Sequence, residues 1–235
     1  MTMRSRGARG GVHDRVLVLN AGSSTLKASL LRAGTDRPLG STVVDWGGDP
    51  VARAPAVVAE VLDELGIAAA GGVAGIGHRI VHGGPDLVAP MRLDDRALAA
   101  VRAVVPLAPL HLPPALSVIE AVRARLPDVP QVACFDTAFH ARLPETSRRY
   151  PVPASWTTTD GIRRYGFHGL SVEWATERAA ALLGEPVSRV RLVVAHLGAG
   201  SSVTAVDRGR SVDTSMGYTP LEGLMMATRS GSIDP

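Results

Sequence analysis

The stretch that decides the fold is Val16-Leu-Val-Leu-Asn-Ala-Gly-Ser-Ser-Thr-Leu-Lys27. Its first four residues are Val and Leu, which is typical of a buried strand, and the small and hydroxyl residues after them favour a tight turn. Residues 26–31 then predict a returning strand. Successive backbone N–H groups in such a turn form an anion-binding concavity, and Lys27 adds a positive charge. Taken alone, the pattern also fits an ordinary hairpin.

A second copy of this pattern lies far along the chain. Leu192-Val-Val-Ala-His-Leu-Gly-Ala-Gly-Ser-Ser-Val-Thr-Ala-Val206 again predicts strand, turn and strand, and Ala-Gly-Ser-Ser at 21–24 recurs at 199–202. The first copy lacks the spacing of a Walker loop, and a strand follows it where a Walker loop has a helix. Two phosphate-binding hairpins predict two halves that close on a nucleotide, which resembles the plan of the actin, hexokinase and Hsp70 superfamily. We therefore expect an α/β chain with a two-domain, actin-like (ribonuclease H-like) ATPase fold.

Composition bounds the possible functions. The chain has 235 residues, a net charge of +3, 46% hydrophobic residues and one cysteine, Cys134. This length is enough for one large domain or two modest ones. A single cysteine excludes an internal disulfide and fits a reducing compartment, so we expect a cytoplasmic protein. The small net charge gives little support for a nucleic-acid partner.

The sequence shows neither an export signal nor a membrane span. Residues 1–14 are basic and Gly-rich without an apolar centre, which predicts a disordered arm and not a secretory peptide. The most apolar window, 98–116, contains Arg102, His111 and four prolines, so it cannot cross a bilayer.

Periodicity outlines the elements between the two hairpins. Apolar spacing predicts helices over 57–65, 98–105 and 116–126, the first ended by Gly66. Residues 132–135 predict a buried strand, and a further helix is led by Ser171. The capping box of Thr219 and Glu222 predicts a last helix that buries Met225 and Met226. A polar, Pro-containing segment at 141–160 predicts a crossover, which gives an N-terminal domain at 15–140 and a second domain that starts at 141 and runs to 235.

Several segments together resemble the acetate kinase family. They occur in the family's order and cover nearly everything from residue 16 onward. The segments are the turn at 20–27, His78-Arg-Ile-Val-His-Gly-Gly84, Cys134-Phe-Asp-Thr-Ala-Phe-His140, Arg164-Tyr-Gly-Phe-His-Gly169 and the long stretch 196–235. The resemblance implies transfer of the γ-phosphoryl group of ATP to acetate, with Mg²⁺ or Mn²⁺ as cofactor and a homodimeric assembly.

The resemblance also assigns roles to individual residues. The catalytic group comprises Asp136, His168 and Arg229. Substrate-binding residues are Arg79, which can clamp a carboxylate, and an apolar pocket for the methyl group at Val81, Leu110, Phe167 and Pro220. Nucleotide-binding residues are Lys27, His196, Leu197, Gly198, Ala199 and Gly200, and Asn20 lies near the metal. Acetate is already an anion, so we expect Asp136 to orient an arginine or hold the metal through water, not to remove a proton.

The sequence departs from the family at several points. Ala199 replaces the usual Asn of the second hairpin, Leu112 replaces an Asn after His111, and Leu170 and Val172 alter the segment after Gly169. Acetate kinases are also considerably longer, so we expect an incomplete second domain. Three hypotheses remain: a partial acetate kinase, a related propionate or butyrate kinase, and a non-catalytic remnant that binds phosphate or another subunit.

Overall fold

The computed structural model describes residues 14–67 and 72–234, which form two compact units. Among the described residues, unit 1 comprises 14–67, 72–79, Arg92–Ala97 and Pro109–Ala133, and unit 2 comprises Ile80–Met91, Leu98–Ala108 and 134–234. The chain thus alternates between the two units in sequence, and the domain boundary expected after residue 140 stays a prediction. The disordered arm expected at residues 1–14 lies outside the described residues except for Asp14.

A six-stranded sheet begins with the decisive hairpin. Strands β1 (Arg15–Ala21), β2 (Thr25–Arg32) and β3 (Pro38–Asp45) pair antiparallel in sequence, as predicted for the first two. Strand β4 (Gly75–Ile80) pairs in parallel with β1. With β5 (Met91–Arg92) and β6 (Gln131–Phe135), the strand order is β3-β2-β1-β4-β6-β5. Parallel pairing brings the carboxyl ends of β1 and β4 to one edge.

Two helices of unit 1 pack on each other. Helix α1 (Pro50–Glu64) starts where the Asp49 carboxylate accepts the Val51 N–H at 3.0 Å, and the chain leaves it at Gly66, whose φ is +64°. Its buried face is the predicted apolar stripe, and it contacts α3 (Leu112–Arg125). Helix α2 (Asp95–Ala103) lies between them in sequence. The three helices predicted between 57 and 126 are therefore confirmed.

Unit 2 contains the second hairpin. Strands β7 (Arg191–Leu197), β8 (Ser201–Asp207) and β9 (Arg210–Thr214) form an antiparallel sheet in that order. Helix α6 (Gly169–Leu183) contacts β7 and ends at Gly184, whose φ is +68°. The segment 141–160, where the sequence predicts a crossover, contains two short helices, α4 (Glu145–Arg148) and α5 (Ala154–Thr158), and belongs to unit 2.

The helix predicted from Thr219 is wrong. Residues 219–234 contain turns and bends without a helix, and Met225 is 79% exposed, although Met226 is buried as expected. The Glu222 carboxylate accepts hydrogen bonds from Arg164 and Tyr150, both at 2.6 Å, so it is not available to cap Thr219. Gly223 then adopts a φ of +104°, which is incompatible with a right-handed helix.

No helix within the described ranges combines the length and the apolar character that a membrane crossing requires.

The buried histidines predict how the stability of the protein depends on pH. In β4, Nε2 of His78 lies 2.7 Å from Oε1 of Gln131, and burial lowers the pKa of His78 from 6.5 to about 4. Between these values the unfolded chain binds the proton and the folded chain does not, so the free energy of unfolding rises with pH. This contribution is complete above pH 6.5 and is lost as the pH falls toward 4; it amounts to about 3 kcal/mol.

The measurement is urea unfolding at several pH values between 4 and 6.5. We expect His78→Gln to reduce the slope of unfolding free energy against pH by about 1.4 kcal/mol per pH unit, whatever its effect on stability at pH 7. An unchanged slope would contradict the assignment of a neutral, buried His78.

Candidate active site

The carboxyl edge of β1 and β4 carries a polar pair in unit 1. The register pairs Leu19 with His78, so the next residues, Asn20 and Arg79, are neighbours at the ends of parallel strands. Nη1 of Arg79 donates to Oδ1 of Asn20 at 3.0 Å. Across the hairpin, Asn20 is opposite Lys27, which is exposed. Three residues with predicted roles toward acetate, phosphate and metal thus lie together in this unit.

The turn after β1 is held by a residue that the sequence did not single out. Trp46 is 2% exposed; its Nε1–H donates to the Gly22 carbonyl and its backbone N–H to the Ser24 carbonyl, each at 3.0 Å. The Gly22 N–H closes the turn on the Thr25 carbonyl at 2.9 Å. These bonds fix the shape of the turn. The Gly22 N–H already has a hydrogen-bond partner, so it is not one of the donors that an anion could bind. In the sequence, Trp46 is followed by two glycines, and nothing in this local pattern predicts that it holds a turn 24 residues away.

The described residues offer a limited set of ligands for a metal. In the parts of the chain that the structure describes, no group of three or more His, Cys, Asp or Glu side chains could hold one. Asn20 provides an amide oxygen, but this oxygen already faces the Arg79 guanidinium. These residues fit a Mg²⁺ ion that is bound mainly by nucleotide phosphates and water, as Mg²⁺ often is, and not a protein cage.

In unit 2, His168 occupies a strained position at the start of α6. Its φ is +60° and ψ +19°, a left-handed conformation that is uncommon for a residue with a side chain. Nδ1 of His168 lies 3.0 Å from Oγ of Ser202, and its ring stacks on His196 with centroids 4.0 Å apart. His196 is oriented in turn, because its Nδ1 lies 2.8 Å from Oγ of Ser171. These contacts fix the orientation of the His168 ring.

The second turn brings His168 and Arg229 to one glycine. A Cβ placed on Gly200 would lie 3.2 Å from Nε2 of His168 and 3.4 Å from Nη1 of Arg229. Arg229 is itself held, since Nη1 donates to the Pro220 carbonyl at 3.0 Å and lies 3.6 Å from Sδ of Met226. The structure thus gathers two of the three predicted catalytic residues against the predicted nucleotide loop. We call His168, Arg229 and Gly200 the cation cluster.

The rest of the predicted nucleotide loop forms the turn between β7 and β8. The Gly198 N–H donates to the Gly200 carbonyl at 3.1 Å, and the Ala227 N–H contacts the Ala199 carbonyl at 3.4 Å. Leu197 is 72% exposed. No glycine of this turn takes a positive φ, so its shape does not depend on a left-handed residue.

Part of the predicted methyl pocket forms an apolar cluster in unit 2. Val81 and Phe167 are buried with Met216 and Met226, two residues that were not among the pocket predictions. Pro220 contributes its backbone carbonyl, which accepts a hydrogen bond from Nη1 of Arg229. Leu110 belongs to unit 1 and is 77% exposed.

Asp136 is buried directly after β6, with 3% of its surface exposed. Its backbone is fixed from both sides: its N–H donates to the Ile80 carbonyl at 2.9 Å, and its carbonyl accepts the Gly169 N–H at 2.8 Å. A Cβ on Gly169 would overlap the Asp136 carbonyl, so this close approach requires glycine. Asp136 is thereby tied to the residue that follows His168.

Two further histidines of unit 2 are buried and were not predicted as functional. Nε2 of His140 donates to the Phe167 carbonyl at 3.0 Å, and Nδ1 of His82 accepts the Gly84 N–H at 2.8 Å. Burial lowers the pKa of each to about 4. Both rings are neutral near pH 7 and act as supports for the backbone around the site.

The comparisons with known proteins identify the family of the chain. The Acetokinase family matches residues 51–235. An acetate kinase from Deinococcus radiodurans is 47% identical over 242 residues, which cover 93% of this chain and 60% of that protein. The chain thus spans about three fifths of the length of the curated relatives it matches.

Solved structures give the same result. The crystal structure of Porphyromonas gingivalis acetate kinase matches with a TM-score of 0.82 at 35% identity, covering 94% of this chain and 62% of that one. A propionate kinase from Francisella tularensis matches with a TM-score of 0.81 at 36% identity and the same coverage. The α/β architecture is the actin-like one of these kinases, and the family match extends over most of the residues. The chain belongs to the acetokinase family.

Proposed function

We propose that this chain carries the residues with which an acyl kinase transfers the γ-phosphoryl group of ATP to acetate, giving acetyl phosphate and ADP. One carboxylate oxygen of acetate forms the new bond to phosphorus as the bond to the ADP oxygen breaks. The observation that carries the proposal is the convergence of His168 and Arg229 on Gly200. Membership of the acetokinase family supports it.

The cation cluster suits the charge that develops in this reaction. The transferred phosphoryl group spreads negative charge over three equatorial oxygens, and fixed donors aimed at it provide most of the catalysis. Arg229 is held by Pro220, and His168 by Ser202, so both are oriented before substrate arrives. Gly200, without a side chain, lets both donors lie close to the backbone of the turn. Asp136 fixes the neighbouring backbone through Gly169.

The residues of unit 1 suit the carboxylate and the phosphates. Arg79 can bind the acetate carboxylate through its planar guanidinium, while Asn20 holds that side chain in place. Lys27, next to the first turn, contributes a charge toward phosphate. A bound Mg²⁺ would neutralise charge on the nucleotide, and the side-chain oxygen of Asn20 could serve as a ligand from the protein.

The family resemblance adds the cellular setting. We infer a cytoplasmic protein that acts as a homodimer on acetate and ATP, with neither a nucleic-acid nor a membrane partner. Propionate is the second candidate substrate, because the propionate kinase from Francisella tularensis matches this chain as well as the acetate kinase structure does.

Arg229 provides the first test. We expect Arg229→Ala in the purified chain to lower the turnover for acetyl phosphate about 100- to 1,000-fold, while the dissociation constant for ATP changes far less, because the charge it stabilises appears in the transition state. Acetyl phosphate is measured by trapping with hydroxylamine, and ATP binding by calorimetry. Arg191→Ala, which removes an exposed arginine of the same unit, is the control.

Equal losses in turnover and in ATP affinity would contradict the charge-stabilising role. ATP binding by the unaltered chain without any acetyl phosphate would contradict the kinase proposal, and would favour a nucleotide-binding chain without catalysis.

The apolar cluster provides the second test. We expect Val81→Ala to raise the kcat/KM ratio of propionate over acetate about 10-fold, because removal of the two γ-methyl groups of Val81 leaves room for one added methylene. The measurement is kcat/KM for acetate, propionate and butyrate. Val43→Ala, at a position 61% exposed on β3, should leave the ratio unchanged. An unchanged ratio in Val81→Ala would place the acyl group elsewhere.

A further inference from the structure

Arg164 makes an unusually complete set of hydrogen bonds in unit 2. Its Nη1 contacts three successive carbonyls, those of Thr214 (3.2 Å), Ser215 (3.3 Å) and Met216 (3.1 Å). Nε donates to the Ser147 carbonyl at 3.1 Å, and Nη2 to Oε1 of Glu222 at 2.6 Å. One guanidinium thereby binds both ends of residues 214–222, which we call the 214–222 segment.

Tyr150 completes this arrangement. Its hydroxyl donates to Oε2 of Glu222 at 2.6 Å and accepts the Tyr218 N–H at 2.7 Å. Burial and the bond to Glu222 raise the pKa of Tyr150 to about 12, so the hydroxyl stays protonated. A Cβ on Gly217 would overlap Glu222 and Tyr150, so the segment passes as close to these side chains as a backbone can.

The 214–222 segment leads directly to the cation cluster. The Pro220 carbonyl, two residues before Glu222, accepts Nη1 of Arg229 at 3.0 Å. At the other end, the Met216 carbonyl is bound by Arg164, and the Met216 side chain is fully buried beside Val81 and Phe167. The same network therefore fixes both the Pro220 carbonyl, which accepts the hydrogen bond of Arg229, and Met216, which is part of the apolar cluster.

We propose that Arg164, Glu222 and Tyr150 are positioning residues, which hold the 214–222 segment so that the Pro220 carbonyl keeps the Arg229 guanidinium against Gly200. The proposal rests on the function proposed above. It explains why Glu222 is bound to Arg164 and Tyr150 instead of capping a helix at Thr219. A helix there would turn the Pro220 carbonyl along its own axis and remove it from Arg229.

A merely stabilising ion pair is the alternative. Partly buried pairs of this kind contribute little net stability, since desolvation of the two charges offsets their attraction. The Arg164 and Glu222 side chains are 18% and 33% exposed. If stability were their only role, their replacement would leave the contacts of Arg229 and the turnover of the folded enzyme unchanged.

The test uses graded variants of the whole chain. Glu222→Gln keeps an acceptor for Arg164, Glu222→Ala removes it, and Tyr150→Phe removes only the hydroxyl. Arg164→Lys keeps the charge but cannot reproduce the planar set of donors. Asp207→Asn, which breaks the exposed Arg191–Asp207 pair of the same unit, is the matched control.

Two readouts are measured on each variant. The first is kcat for acetyl phosphate formation with the KM for ATP. The second is the ¹H–¹⁵N signal set of the Arg229 guanidinium, assigned by its loss in Arg229→Lys, which reports the contact with Pro220 without any need for catalysis. Circular dichroism and thermal unfolding identify the variants that remain folded.

We expect kcat to fall about 100-fold in Glu222→Ala and Arg164→Lys, because a small displacement of a catalytic group can lower the rate by about this factor. Tyr150→Phe should lose about 10-fold and Glu222→Gln less than Glu222→Ala, with the KM for ATP within about 3-fold throughout. The Arg229 signals should shift in the same order. Asp207→Asn should stay within about 2-fold of the unaltered chain.

Two results would overturn the proposal. One is unchanged Arg229 signals in the folded Tyr150→Phe and Glu222→Gln variants, and the other is a fall in kcat that does not follow the signal shift. If the unaltered chain forms no acetyl phosphate, the proposed function fails, and the Arg229 signals still decide the positioning proposal.

Discussion

Parallel pairing of β1 with β4 is the constraint on which unit 1 depends. It brings two strand ends to one edge of the sheet and makes Asn20 and Arg79 neighbours, although 58 residues separate them. Both side chains are polar at the points where their strands leave the buried interior, so they can bind each other and still face solvent. Trp46 fixes the adjoining turn through two backbone carbonyls. The edge is thus rigid before any ligand binds.

Unit 2 reaches the same result through close backbone approaches. Gly169 lies against the Asp136 carbonyl, and Gly200 lies against His168 and Arg229. His168 adopts a left-handed conformation between them, which costs on the order of 1–3 kcal/mol and persists because Ser202 and His196 hold its ring. Strain of this kind is common where a functional group must be oriented in advance. It agrees with the role proposed for His168.

Local patterns predicted most elements and failed where a side chain had a distant partner. The hairpins and helices α1, α2 and α3 follow from apolar periodicity, and the chain leaves α1 at the predicted glycine, Gly66. The capping box at Thr219 predicted a helix that does not form, because both oxygens of the Glu222 carboxylate are bound by Arg164 and Tyr150. The segment 141–160, where a crossover is predicted, contains short helices. Its polar, Pro-containing composition indicates a boundary but does not determine to which unit the segment belongs.

The sequence by itself determined the strand–turn–strand repeats, the order of the motifs and the residue types that phosphate and carboxylate require, because these depend on neighbours in the chain. Only the tertiary structure decided which residues support them. Met216 packs beside Val81 and Phe167, which come from other segments. Trp46 acts on Gly22 across 24 residues of sequence, Ser202 on His168 across 34, and Tyr150 on Glu222 across 72. Their hydrogen bonds exist only once separate segments have packed, and no periodicity or local spacing encodes such partners.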